Sequence, residues 1–158
     1  MARALRFAVT VVVAVVAVIG LLLFFASRDS STFNRRGGPA DAGRAVPPPA
    51  APARPAVIRR DRVTLSAAQL ATALRAGDVV FLYGSRGDEP RLLRVQEDAA
   101  GPFDSALARA GAAIVLGHDA GRTGVEARAF GRTLDTATPD DPRLPGFAET
   151  WLGHGAGR

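Results

Sequence analysis

The chain contains neither cysteine nor lysine. Without thiols there are no disulfide staples, no thiolate metal sites and no thiol–disulfide chemistry. All 20 basic residues are therefore Arg, and with Ala, Gly, Pro and Val abundant and Asn and Ile scarce this is the codon bias of a G+C-rich genome. Histidine is nearly absent, two in all, which leaves a poor set for a metal centre. Also lacking are G-x-S-x-G, H-E-x-x-H, a Walker lysine and G-x-G-x-x-G, so no catalytic or nucleotide-binding signature is present. No metal, cofactor or catalytic residue is expected.

An excess of charge is missing where it would matter. The net charge is +5, but residues 1–57 hold seven Arg and two Asp, and the remainder holds thirteen Arg against thirteen acids. The part able to fold is neutral, so no nucleic-acid partner is expected.

What is present begins with an apolar run. Phe7 to Ser27 carries no charge over 21 residues, fourteen of them Val, Ile, Leu or Phe. At 1.5 Å per residue this is about 31 Å of helix, the thickness of a hydrocarbon core. The run is longer than the apolar core of a cleaved signal, and Phe24 stands where cleavage after Ala26 would want a small residue. Residues 1–27 thus read as a short cytoplasmic stub and a transmembrane helix, with the lipid bilayer as partner of residues 7–27. Arg3 and Arg6 before the span nearly balance Arg28, Arg35 and Arg36 after it. A short N-terminus kept inside with the remainder exported is the simpler topology: a single-pass plasma-membrane protein with an extracytoplasmic C-terminal domain.

Arg28 to Val57 reads as a linker, with six Pro between Pro39 and Pro55 and almost no large apolar residue. If free throughout, it would reach roughly 60–90 Å. Residues 58–158 are left for one soluble α/β domain.

Within that domain Val57 to Leu65 reads as a short strand. Ser66 with Gln69 forms a capping box, Leu65 and Leu70 stand at the staple positions, and Gly77 is placed for a C-cap, which predicts a helix over Ser66 to Ala76. Asp78 to Tyr83 is an apolar run between glycines, the pattern of a strand buried on both faces. Pro90 to Ala100 and Asp104 to Ala110 read as helical, and Ala112 to Leu116 as a second buried strand parallel to the first. Gly117 to Gly124 turns the chain into Val125 to Thr136, read as one half-exposed strand in a hairpin with Ala112 to Leu116. Pro142 to Leu152 closes as a helix, with Phe147 and Trp151 in the core. The order β-α-β-α-β-β-α is the thioredoxin-like one; the redox activity does not follow, since there is no C-x-x-C and no proline precedes Ala112.

Several segments resemble a known family: Asp78-Val79-Val80-Phe81-Leu82-Tyr83, Arg128-Ala129-Phe130-Gly131-Arg132, Asp140-Asp141-Pro142-Arg143, and Phe147 through Gly153. Over about Ala76 to Gly153 the chain resembles the C-terminal half of an actinobacterial envelope family catalogued as domain of unknown function 3105. Ala76 stands where that pattern has His, Phe130 where it has Trp, and the His-rich N-terminal half has no counterpart. The resemblance implies an envelope location and no chemistry.

Two candidate sites follow. The Gly84-Ser85-Arg86 loop leaves the C-terminal end of a buried strand, where open α/β sheets bind ligands; His118, in the predicted hairpin loop, joins it as a candidate ligand residue. Glu126, Arg128, Phe130, Arg132 and Leu134 would share one face of a single strand, and Arg128, Phe130 and Arg132 form a candidate face for an acidic partner. The expected function is a non-enzymatic, membrane-anchored envelope module binding a protein or an anionic small ligand. The alternative is a thiol-less thioredoxin-fold relative with a small-molecule or hydrolytic site at the Gly84 loop.

Overall fold

The computed structural model describes residues 42–157. The apolar stretch 7–27 and the linker as far as residue 41 lie outside the described residues. Among the described residues no helix is long and apolar enough to cross a membrane.

The elements in chain order are β1 (Arg44–Ala45), α1 (Ala67–Ala76), β2 (Val79–Tyr83), α2 (Glu89–Ala100), α3 (Ser105–Ala110), β3 (Ile114–His118), β4 (Val125–Ala129), β5 (Arg132–Thr136) and α4 (Arg143–Trp151). They form a mixed α/β fold on one five-stranded sheet of order β1-β5-β4-β2-β3. β2 and β3 are parallel, and the β2–β4, β4–β5 and β1–β5 pairs are antiparallel.

The local signals for α1 are all used. The Ser66 Oγ accepts from the Gln69 amide at 3.2 Å while the Ser66 amide donates to Gln69 Oε1 at 3.0 Å. Gly77 closes the helix at φ 114°, a left-handed conformation open to glycine at little cost.

β2 is buried along its whole length, and alternation splits its side chains between two cores. Val79, Phe81 and Tyr83 pack with Ile114, Leu116, Leu92 of α2 and Leu144 and Phe147 of α4. Val80 and Leu82 pack on the other face with Val115, Ala73 and Leu74 of α1 and Ala108 of α3. The sheet is therefore sandwiched between helix pairs, with β2 and β3 innermost in burial.

Three expectations change. Val57 to Leu65 is not a strand: it makes one isolated parallel bridge, Val63 to Gly117, at the edge of β3. The interruption is at Arg62, whose φ of 62° takes the chain out of the extended region, while Ile58 alone is pulled into the core. Val125 to Thr136 is two strands rather than one, reversing at Phe130-Gly131 with Gly131 at φ 70°. β4 pairs with β2 and β5, so the expected hairpin with β3 is replaced by a β4–β5 hairpin.

The third change concerns the Pro-rich stretch. Its described part lies against the domain: Arg44 and Ala45 pair with Thr133 and Arg132, and the Val46 amide donates to the Gly131 carbonyl at 3.0 Å. The Trp151 indole N–H donates to the Ala42 carbonyl at 2.9 Å, and Arg75 Nη1 to the Pro49 carbonyl at 3.2 Å. Extended proline-rich chain has no internal hydrogen bonds, so its carbonyls are available to such donors.

Candidate functional site

β2 and β3 run parallel, so their C-terminal ends, Tyr83 and His118, emerge side by side. The His118 ring lies edge-on to Tyr83 with centroids 5.5 Å apart. His118 Nε2 is 3.1 Å from the Gly84 carbonyl oxygen. Because a carbonyl only accepts, that nitrogen carries the proton, and Nδ1 keeps the lone pair in the neutral ring. The structure thus brings Gly84 and His118 together. Gly84 is held tightly: a Cβ there would strike the Arg122 carbonyl of the following loop.

Ser85 and Arg86 are exposed. Ser85 is spent on its own turn, its Oγ accepting from the Gly87 amide at 3.2 Å. The buried Tyr83 hydroxyl donates to Glu89 Oε2 at 2.8 Å, and its pKa is pushed up by burial and then by that carboxylate. Arg62 lies between two acids, 3.4 Å from Asp61 and 3.7 Å from Glu89. Asp61 in turn accepts from the buried Gln96 at 3.0 Å. Tyr83, Glu89, Arg62, Asp61 and Gln96 are thus paired with one another within the protein. Among the described residues no group of three or more His, Asp or Glu is placed to hold a metal ion.

The Arg128–Phe130–Arg132 face is rearranged by the Phe130-Gly131 reversal. Ala129 now faces Arg132 across the hairpin and Arg128 faces Thr133, so Arg128 and Arg132 point to opposite faces of the sheet. Leu134 belongs to the core with Ala127. Arg132 stacks over the Trp151 ring at 4.8 Å, and Phe130 in the turn lies under Arg75 at 5.9 Å.

On the α1 side of the hairpin a cavity of about 340 Å³ is lined by the aliphatic side chains of Leu70 and Leu74, by Pro47 of the docked segment, and by Arg44 and Arg128 at its polar end, while the Arg132 side chain lies on the opposite face of the sheet. That size is within the range of small-ligand sites. Its polar end is organised by Glu126, a buried residue missed as a centre in the sequence. Glu126 accepts two bonds from Arg128, Nε at 2.7 Å and Nη2 at 2.9 Å, one from Thr133 at 3.0 Å, and an ion pair from Arg122 at 2.6 Å. Burial acts to raise its pKa, but the bonds from Arg128, Thr133 and Arg122 outweigh it and hold the carboxyl below the ordinary range. Arg122 also pairs with Asp119 at 3.5 Å, so in this cluster two arginines meet two acids. The sequence signal was there: Glu126 and Arg128 alternate onto one face, with Arg122 four residues earlier.

The chain matches no protein-family model, no curated protein and no solved structure.

Proposed function

We propose that this chain is a single-pass, membrane-anchored envelope protein whose exported domain binds an anionic group, of a small ligand or of a partner protein, in the cavity beneath Arg44 and Arg128. The carrying observation is that cavity: aliphatic walls, the exposed Arg44, and the Arg128 guanidinium fixed in place by Glu126 before any ligand arrives. Preorganised donors against an apolar wall bind carboxylates with little ordering cost. No set of residues for turnover accompanies it, which supports a binding module over the hydrolytic alternative at the Gly84 loop.

The order β3-β2-β4-β5, with β2 and β3 parallel and β4 antiparallel, supports a thioredoxin-like finer reading of the α/β fold. The 21 uncharged residues from Phe7 and the short family-like motifs support the envelope location. Since the native chain has no cysteine, one cysteine introduced at exposed Ser85 reports topology without background. It is expected to react with a membrane-impermeant maleimide in intact cells; protection until lysis would place the domain inside.

Titration of the full chain with succinate and with a short acidic peptide, followed by calorimetry, is expected to show saturable binding. Arg44→Gln, at an exposed position, and Arg128→Gln should each weaken binding about tenfold, the loss of one charge-assisted hydrogen bond. Unchanged affinity in both variants would rule out this cavity.

A further inference from the structure

A second cavity, of about 270 Å³, lies on the other side of α1, between that helix, α3 and the incoming segment 55–58. Its walls are small and apolar, among them Pro55, Ala56, Ile58, Ala73, Ala76 and Ala108. Three polar side chains contribute to it. Thr72 is saturated, its hydroxyl accepting from the Ala56 amide at 3.1 Å and donating to the Ala68 carbonyl at 2.7 Å. Arg109 is exposed. Asp78 is the third.

Asp78 is 1% exposed, in the segment joining α1 to β2. Its Oδ1 accepts from the Ala113 amide at 3.0 Å, which ties β2 to the start of β3. Its Oδ2 is buried and has no hydrogen-bond partner. A carboxylate left half-satisfied in an apolar site costs stability, and native folds keep few such groups. Burial raises its pKa to about 7, against a smaller lowering by the Ala113 amide. The free oxygen therefore calls for a donor, and a cation stabilises the ionised form most.

We infer that this cavity is a binding site for a small aliphatic amine, its ammonium donating to Asp78 Oδ2 and its short hydrocarbon body lying against the alanine and proline walls. The small volume, just below the usual range for ligand pockets, restricts the occupant to a slender body. This site is separate from the arginine-lined cavity, so either can fail without the other.

The test uses the full-length chain in nanodiscs of zwitterionic lipid, with empty nanodiscs as blank, titrated with n-butylamine and with 1-butanol. The Ala113 amide resonance, one bond from the proposed site, is followed by NMR. Butylammonium is expected to shift it saturably and to bind at least about tenfold more tightly than butanol, the margin of a charge-assisted hydrogen bond. Asp78→Asn, which retains an acceptor for Ala113, should remove that margin. Succinate, aimed at the other cavity, should leave the Ala113 resonance in place. Equal affinity for amine and alcohol, an unmoved Ala113 amide, or full amine binding by folded Asp78→Asn would each overturn the proposal. Should that variant not fold, Val57→Trp, built outward from a half-exposed wall residue to fill the cavity, must abolish the shift; persistence of the shift would overturn the proposal equally.

Discussion

Glu126→Ala is expected to destabilise the domain by about 2–3 kcal/mol, the loss of charge-assisted hydrogen bonds to two partly exposed arginines and a buried hydroxyl. The carboxylate serves three neighbours at once. Removing it leaves Arg128, which donates two bonds to it, without that acid, and leaves Arg122, whose side chain is 22% exposed, only the longer contact to Asp119 at 3.5 Å. The buried Thr133 hydroxyl is left with the Ala127 carbonyl at 3.4 Å. Against a total stability on the order of 5–15 kcal/mol for a domain this is a large share, worth roughly 10–20 °C in thermal midpoint. Arg128→Ala should cost much less, because Glu126 keeps Arg122 and Thr133. Urea unfolding of residues 37–158, a compact unit, followed by circular dichroism, measures both. Equal losses in the two variants would mean that Glu126 is not the centre of the cluster. Glu126→Gln separates charge from shape: it retains an acceptor for Thr133 and should fall between the two.

The parts of the fold legible in the sequence are those whose causes are local. Ser66, Gln69 and Gly77 specify both ends of α1 within a dozen residues, and each makes its expected bond. The apolar run of β2 has no polar face to expose, so its central, doubly buried place follows from composition. The parallel pairing of β2 with β3 follows from the crossover between them, and it is also what makes Gly84 and His118 neighbours.

Other features depend on partners far along the chain. Val57 to Leu65 has the residues of a strand, but Arg62 turns left-handed and one bridge is all that forms. In Val125 to Thr136 the alternation survives a two-residue reversal unchanged, although the faces exchange. A pattern of period two cannot tell a long strand from a tight hairpin. Gly131 was the sole local mark of the turn. The docking of Arg44 to Pro49 was hidden for a related reason: proline content marks a chain with no helix or core of its own, and says nothing about a sheet edge that receives it.

Stability should fall as pH rises from about 4 to about 7, and Asp78 is the reason. Its folded-state pKa is near 7 against an ordinary value of 3.8. Between those values the folded state holds a proton that the unfolded state has released, so raising the pH favours unfolding. The contribution is fully present below pH 4, is lost through pH 7, and is flat above it. A shift of about three pH units corresponds to an effect on the order of 3–4 kcal/mol. Glu126 and Asp141 act with the opposite sign. Their carboxyls are held low, Glu126 by its arginines against the pull of burial and Asp141 chiefly by its bond from Arg143, so they add stability that disappears on acidification. The two trends give a maximum on the acid side of neutrality. In Asp78→Asn the carbonyl oxygen still accepts from Ala113, but nothing titrates there. Its stability is expected to stay level from pH 5 to pH 8 while that of the parent chain drops. Because the new amide N–H₂ has no partner either, at a cost of about 1–3 kcal/mol, the slope with pH and not the absolute stability is the quantity to compare. Parallel slopes in urea titrations at pH 5, 6, 7 and 8 would show that Asp78 ionises freely in the folded chain, and would remove with it the half-satisfied carboxyl on which the amine site depends.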